Sequence, residues 1–401
     1  MKNSEVLKIN DSVSWIGILD KDIVTFDIVM ETKHGTTYNS YFIDADKKTI
    51  IDTAKETYSE QYIEKVKEVV NPSDIEYIIL NHTEPDHSGC LKHLLALAPD
   101  AKVCGSRQAL NYINEMTDIP FESQILKEGD EIDLGNKTLR FINAPNLHWP
   151  DTIYTYLVED KFLFTCDSFG AHYCNEKMFD DLVGDYSDDF DYYFNVILKP
   201  FSKFMVKAIE KISSLDIQII CPGHGPILRS SWKEIVKKTE NMAERYIADS
   251  LCEENNILIT YVSAYGYTKS MADTIAQGIQ EIVKYPVNII DLEHTSLGDV
   301  EELIVRSNAI LIGSPTINQN TLLPVYKMFA LINPIRDKGK KAAAFGSYGW
   351  SGEAVKLIEG HLRSLKLNIV LDGAAYRFTP NNDKKEFLQE FGRNFARQLL
   401  E

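Results

Sequence analysis

The sequence predicts two domains of different type: an α+β sandwich over residues 1–250, then a doubly wound parallel α/β sheet over residues 251–401. Three observations point there. The chain has 401 residues, and at about 100 to 200 residues per domain two or three domains are expected. Up to about residue 250, short β-rich runs are separated by turns and a few helices, and several follow one another with no helix between them, which argues against a simple βαβ winding. From Ile257 onward the order is strictly strand, then helix.

In the first half, β-branched and aromatic residues mark strands at Thr36–Ile43, Thr49–Asp52, Glu76–Leu80, Thr138–Asn143, Thr152–Val158, Phe162–Thr165 and Ile217–Ile220, with a helix near Leu91–Leu97. The stretch Ser231–Asn256 has no Pro or Gly and is expected to be a closing helix with a short connector. In the second half, Ile257–Val262 is a buried-strand run. Met271, Ile275, Ile279 and Ile282 then lie at helical spacing within Thr268–Val283. Asn288–Asp291, Ala309–Gly313, Ala342–Gly346 and Leu367–Leu371 complete a five-stranded parallel sheet of expected order 2-1-3-4-5.

Composition narrows the function classes. A formal charge of −17 repels the phosphates that dominate nucleic-acid affinity. No run approaches the roughly 18 apolar residues of a membrane helix, and the opening residues lack the apolar segment of a secretory signal, so a cytoplasmic protein is expected. The six cysteines (Cys90, Cys104, Cys166, Cys174, Cys221 and Cys252) are scattered with no C-x-x-C pair, which argues against disulfides and against a cysteine-held iron centre.

The run Ile78–Leu80 opens into Asn81–Gly89, where His82, Glu84, Asp86 and His87 place four metal-competent side chains within six residues. Alternation along an extended backbone sends His82, Glu84 and Asp86 to one side, and a tight turn then brings His87 towards a neighbouring ion. A polar capping turn would explain any one of these residues but not all four. His148, Asp167 and His224 each follow a predicted strand at its carboxyl end, so the seven form one expected two-metal site. Three carboxylates and four neutral imidazoles set −3 against the +4 of two ferrous ions, and this mixture of hard oxygen and imidazole suits iron. Zinc accepts the same ligand types.

The spacing H-x-E-x-D-H, followed by His148, Asp167 and the Gly223–His224–Gly225 turn, resembles the metallo-β-lactamase fold, an αββα sandwich whose usual signature is H-x-H-x-D-H. Glu84 in place of the second histidine is similar to the diiron branch of that superfamily, the flavodiiron proteins or A-type flavoproteins. The resemblance implies that one iron takes His82, Glu84 and His148, the other Asp86, His87 and His224, and that Asp167 bridges them. In some members the histidine at the place of His87 stands off the metal. His172 and, more weakly, Tyr193 are candidates for donating a proton or hydrogen bond near the metals, with a purely structural role as the alternative for His172. Many relatives carry a further histidine near the pocket, around Asp27, where this sequence has none.

The second constellation is Ser263–Ala264–Tyr265–Gly266–Tyr267–Thr268, between a strand and a helix, where backbone N–H groups and the hydroxyls of Ser263 and Thr268 suit a phosphate. It matches neither a nucleoside-triphosphate loop nor a dinucleotide loop. The loop of Ser314, Pro315, Thr316, Asn318 and Gln319 follows the third strand, and that of Ser347, Tyr348, Gly349 and Trp350 the fourth. In a 2-1-3-4-5 sheet these loops converge at the carboxyl edge, where a mononucleotide binds. Tyr348 and Trp350 supply aromatic faces for a flat ring; the alternative is glycine-rich turns with structural aromatics. Residues from about 255 to the end resemble flavodoxin, which implies FMN. Tyr265 stands where many flavodoxins have a phosphate-binding threonine, so Ser263, Gly266 and Thr268 are the stronger phosphate contacts.

Together the halves resemble a flavodiiron protein in its minimal two-domain form, without a rubredoxin domain. The resemblance implies an oxidoreductase that uses FMN and two non-haem irons to reduce O2 to water, NO to N2O, or both. Electrons would come from a separate donor, a rubredoxin-like protein or reduced deazaflavin F420. It also implies a head-to-tail homodimer, or a dimer of dimers, that sets the flavin of one chain against the metals of the other. Two other classes stand beside this expectation: a dinuclear zinc hydrolase with an appended flavodoxin, against which Glu84 argues, and a non-enzymatic electron carrier, against which the full ligand set argues.

Overall fold

The computed structural model describes residues 5–26, 30–250, 256–378 and 382–400. Asp27, Cys252 and the expected domain boundary at residues 250 and 251 touch positions outside the described residues. The chain divides into two compact units, Met1–Tyr246 and Ile247–Glu401.

The first unit holds two sheets. One has seven strands in the order Leu7–Lys8, Val13–Trp15, Tyr41–Ile43, Lys48–Ile51, Ile75–Leu80, Lys102–Gly105 and Glu122–Ile125. Its first three pairings are antiparallel and its last three parallel. The other has five: Glu131–Asp133, Thr138–Asn143, Ile153–Leu157, Phe162–Cys166 and Ile219–Pro222, with only the final pairing parallel.

Alternation along these strands builds the layers. Ile51, Ile79, Phe164 and Cys221 belong to a core shared by the inner faces of both sheets. Their neighbours Ile50, Ile78, Leu163 and Ile220 pack outward with helical residues such as Tyr62, Leu94, Ile113, Phe190 and Met205. The result is the αββα sandwich. Its strands Lys48–Ile51, Ile75–Leu80, Phe162–Cys166 and Ile219–Pro222 lead directly into Asp52, His82, Asp167 and His224.

Two expected strands differ. Thr36–Ile43 is not continuous: Thr36–Tyr38 pairs with Ile18–Asp20, whereas Tyr41–Ile43 joins the seven-stranded sheet. The break falls at Asn39, whose N–H donates to the Gly223 carbonyl oxygen and whose side-chain amide donates to those of Pro222 and Gly225, none of them a strand neighbour. The expected strand Leu367–Leu371 shrinks to Asn368–Ile369, and the chain rejoins the sheet at Ala374–Arg377. The cause is close packing at Gly373, where a Cβ would lie 2.3 Å from Val355 Cγ1 and 2.9 Å from the Ala344 carbonyl oxygen.

The second unit is a parallel sheet ordered Val287–Asp291, Ile257–Tyr261, Ala309–Gly313, Lys341–Tyr348 and Asn368–Ile369, which is 2-1-3-4-5 within the unit. One face packs Met271, Ile275 and Ile279 of the helix Tyr267–Ile282 together with Leu388, Phe391 and Phe395. The other packs Val300, Ile304, Met328, Ile358 and Leu362.

Candidate metal centre and flavin site

The metal ligands expected from sequence come together in the first unit. His82, Glu84, His148 and Asp167 form one group and Asp86, His87 and His224 a second. His148 Nε2 lies 2.8 Å from Glu84 Oε2 and 3.6 Å from Asp167 Oδ2, and His82 Nε2 lies 3.3 and 3.4 Å from the same two oxygens. On the other side, Asp86 Oδ2 is 3.3 Å from His87 Nε2 and 3.1 Å from His224 Nε2. Asp167 Oδ1 is 3.2 and 3.5 Å from those nitrogens. Metal–ligand bonds of about 2.1 Å put adjacent ligand atoms roughly 3.0 to 3.4 Å apart. The observed spacings are therefore those of two coordination shells, and Asp167 turns one oxygen to each.

The local route differs from simple alternation. The chain is extended only through Glu84; Pro85 starts a helical turn, Pro85–Ser88, that carries Asp86 and His87 away from His82 and Glu84. Proline suits this position because it has no N–H to lose in the first turn and its φ is already helical. Asp86 thus belongs with His87 and not on the face of His82 and Glu84.

Both oxygens of Asp86, both ring nitrogens of His87 and Asp167 Oδ2 are buried without a hydrogen-bond partner. Orphaned buried polar atoms are costly, and Asp86 Oδ2, His87 Nε2 and Asp167 Oδ2 among them lie within the two ligand groups, so the donor set fits a pair of metal ions. Electrostatics agree. Burial opposes ionisation of Asp167, yet the close approach of His87 Nε2 at 3.2 Å and the charges of His87, His82 and His148 hold its carboxyl well below the usual range. Burial works against a charge on His87 too, but Asp86 and Asp167 outweigh it and raise its pKa to about 9.

Second-layer partners fix the imidazoles. His82 Nδ1 is 3.2 Å from Asp151 Oδ2, which also accepts from the Thr83 N–H and hydroxyl, each at 2.8 Å. His224 Nδ1 is 2.6 Å from the Thr37 carbonyl oxygen. Oxygens that only accept leave the proton on Nδ1 and the lone pair on Nε2, which faces the metal group. Sequence reasoning missed Asp151 and Thr37. Asp151 lies three residues after His148 and could have been noticed; the Thr37 carbonyl has no side-chain signal.

Tyr193 donates from its hydroxyl to Asp167 Oδ1 at 3.1 Å. His172 is buried, pairs through Nδ1 with Thr36 Oγ1 at 2.9 Å, and has no partner at Nε2. Burial and the neighbouring His224 push its pKa well below the ordinary value. A cavity of about 640 Å³, lined in part by His34, Asp189 and Tyr192, reaches His172.

In the second unit, the strands before the expected loops end at Tyr261, Gly313 and Tyr348, so Ser347 and Tyr348 lie on the fourth strand, which runs two residues past its expected end at Gly346, and only Gly349 and Trp350 of that group are in the loop. Gly266 has φ +81° and starts the helix Tyr267–Ile282, a left-handed conformation that favours glycine. Ser263 Oγ accepts from the Lys269 N–H at 3.3 Å. Thr268 is buried and its hydroxyl meets Ser347 Oγ at 2.9 Å, so it ties the start of the helix Tyr267–Ile282 to the end of the strand Lys341–Tyr348. The Ser347 carbonyl in turn accepts from Thr316 N–H at 2.8 Å, which ties in the third loop. Ser314 is also turned inward, donating to the Pro315 carbonyl oxygen at 2.9 Å. Asn318 and Gln319 both have positive φ in a turn closed by Ile317 and Asn320. Tyr267 meets Phe378 edge-on at 6.2 Å, and a Cβ on Gly349 would touch the same Phe378 ring. Tyr348 lies beneath the Arg377 guanidinium. Tyr265 and Trp350 are 82% and 77% exposed, so large aromatic faces stand free on these loops. The tied loops and free aromatics fit a flat ring with a phosphate tail.

Fold and site together define a two-domain protein that joins a β-lactamase-like binuclear metal centre to a flavodoxin domain. Comparison with known proteins agrees: residues 36–225 match the ODP family beta lactamase and residues 259–391 match flavodoxin. The chain is 36% identical over 400 residues to a flavo-diiron protein of Clostridium acetobutylicum, covering 98% of this chain and 99% of that one. It is 34% identical over 400 residues to the anaerobic nitric oxide reductase flavorubredoxin of Salmonella arizonae, covering 97% of this chain and 82% of that one. Among solved structures, rubredoxin oxygen:oxidoreductase of Desulfovibrio gigas superposes with a TM-score of 0.67 at 26% identity, covering 98% of each chain. The chain belongs to the flavodiiron, or A-type flavoprotein, family.

Proposed function

We propose that this protein is an oxidoreductase that reduces O2 to water, NO to N2O, or both, with a non-haem diiron centre and FMN. The observation that carries the reading is Asp167, whose two oxygens face two separate sets of ligand atoms across buried groups that otherwise lack partners. His82, Glu84 and His148 would hold one iron and Asp86, His87 and His224 the other, with Asp167 offering one oxygen to each group. When bound, the iron pair and FMN supply sites for a diatomic gas and reversible storage of one or two electrons.

The chain's own residues do the rest. Asp151 and the Thr37 carbonyl hold His82 and His224 in the tautomer that offers Nε2. Tyr193 places a hydroxyl proton on Asp167 Oδ1, and His172 offers an unpartnered Nε2 beside it, so both are positioned to hold protons near the metals. Gly266, Ser263 and the start of the helix Tyr267–Ile282 would hold the FMN phosphate, while Thr316 and the segment Ser347–Trp350 at the end of the fourth strand would flank its ring.

The relatives named for nitric oxide and for oxygen support both substrates. A rubredoxin-like protein or reduced F420 delivers the electrons, and a head-to-tail homodimer or dimer of dimers brings each flavin to a metal centre. The test is metal and flavin quantitation of the purified protein, then anaerobic reduction and parallel electrode assays with O2 and NO. About two irons and one FMN per chain with consumption of at least one gas are expected; zinc with no gas consumption overturns the reading.

A further inference from the structure

The break in the strand expected over Thr36–Ile43 has a chemical purpose. At the break, Asn39 is fully buried and spends every polar group of its side chain. Its Nδ2 donates to the carbonyl oxygens of Pro222 at 2.8 Å and Gly225 at 3.0 Å. Its backbone N–H donates to the Gly223 carbonyl oxygen at 2.8 Å. Three donors of one residue thus hold three carbonyls that flank His224. The Tyr41 hydroxyl adds a fourth bond, to the Pro222 carbonyl oxygen at 2.7 Å.

Asn39 is itself held from behind. Its Oδ1 accepts from Trp15 Nε1 at 2.8 Å. Lys65 Nζ lies 3.9 Å over the Trp15 ring and donates to the Gly17 carbonyl oxygen at 2.5 Å. Gly17 has to be glycine: a Cβ would lie 2.7 Å from Trp15 Nε1, 2.3 Å from the Tyr38 carbonyl oxygen and 2.9 Å from Asn39 Cα. Only an amide meets the demand at position 39, since it must accept from an indole N–H and donate twice to carbonyls. Aspartate would turn an oxygen towards the Pro222 and Gly225 carbonyls.

We propose that Asn39 is a positioning residue for His224, fixing the Pro222–Gly225 turn so that His224 Nε2 stays in register with Asp86 and Asp167. It touches neither substrate nor metal and acts through the turn. The inference rests on the reading of Asp86, His87 and His224 as ligands of one iron. It predicts an asymmetric effect, because His82, Glu84 and His148 stand on other loops. Partners of metal-binding imidazoles typically contribute 10- to 100-fold in affinity.

The test uses the full chain, stripped by chelator and reloaded anaerobically with ferrous ⁵⁷Fe. Asn39→Ala should weaken one of the two irons by about tenfold or more, leaving one iron per chain at limiting metal and one of the two Mössbauer doublets depleted. Trp15→Phe removes the bond behind Asn39 but not those to the turn, and should retain both irons at wild-type affinity even if it melts earlier. Tyr41→Phe, which removes a single bond to the turn, should weaken the same iron by a smaller factor and serves if Asn39→Ala does not fold. Wild-type affinity at both sites in the folded Asn39 variant, equal weakening of both irons, or, where only Tyr41→Phe folds, an unchanged Tyr41→Phe, overturns the proposal. A wild-type chain that takes up no iron overturns the metal reading itself, which is a distinct result.

Discussion

Replacing Asp151 by asparagine should loosen the metal held by His82 while barely changing shape. Asp151 is fully buried, and one oxygen, Oδ2, receives all three hydrogen bonds, from Thr83 N–H, Thr83 hydroxyl and His82 Nδ1–H. The other oxygen has no partner, so an amide can set its carbonyl at Oδ2 and its NH2 in the unpartnered place. What is lost is charge. Hydrogen bonds to charged groups contribute roughly 1.5 to 3 kcal/mol against about 1 for neutral ones, so each bond weakens by about 1 kcal/mol. The share on His82, about 1 to 1.4 kcal/mol, corresponds to roughly a five- to tenfold loss of metal affinity. The two Thr83 bonds account for about 2 kcal/mol of folding stability, lost with or without metal. Competition with a chromophoric chelator measures the first quantity and thermal melts of stripped and loaded protein the second. A variant whose metal affinity stays within twofold of wild type, with its stability lowered, would refute the argument that the Asp151 charge sustains His82 as a ligand.

Asp52 gives a pH test of the opposite sign. Burial is the main cause that pushes its carboxyl up to about 7, against the ordinary value near 4 and only partly offset by His87 and the Asn81 N–H. A raised folded pKa leaves its contribution intact in acid and removes it as pH rises through 7. Stripped wild type should therefore lose on the order of 4 kcal/mol relative to stripped Asp52→Asn between pH 4 and 8 in urea melts. A difference that stays flat would mean that Asp52 is not desolvated. Gly266→Ala meets no neighbour within 4 Å yet forces an alanine to φ +81°, a cost of about 1 to 2 kcal/mol. FMN titration should show a roughly 5- to 30-fold weaker site, and an unchanged affinity would argue against this turn as the phosphate loop. Chelator stripping should lower the melting temperature of the first unit's transition, because His87, Asp86 and Asp167 lose what compensates their buried atoms. Calorimetry that shows no shift would count against a metal pair at these residues.

Much of this was legible in the sequence, for identifiable reasons. The 2-1-3-4-5 sheet follows from five apolar runs separated by helix-length segments, and the ligands from their position just past strand ends. What the sequence hid depends on tertiary contact. Thr36–Ile43 has the composition of one strand, and nothing local says that Asn39 prefers the Pro222–Gly225 turn to a ladder partner. The pause after Ile369 is set by Val355 and Ala344, which lie on other elements. Alternation counted past Pro85 sets Asp86 beside His82 and Glu84, although proline itself signals the helical turn, whereas the family resemblance groups Asp86 with His87 and His224, as the structure does. Thr268 carries a phosphate-loop signature, yet its hydroxyl faces Ser347, 79 residues away.

Glu84 is the residue at which this sequence leaves the H-x-H-x-D-H pattern. Its side chain is 12% exposed and that of His148 is 21%, while the other five ligands are 7% or less. The departure from H-x-H-x-D-H thus falls on the most open side of the centre, where the carboxylate lies against His148 and His82. An anionic oxygen there adds negative charge to the metal pair and favours hard, redox-active iron over a pair held mainly by imidazole. Asp86 and Asp167 lie deeper, among His82, His87 and His224, so Glu84 is the one carboxylate of the set on the open rim, and the three carboxylates with four imidazoles make the mixed oxygen and nitrogen donor set that suits iron.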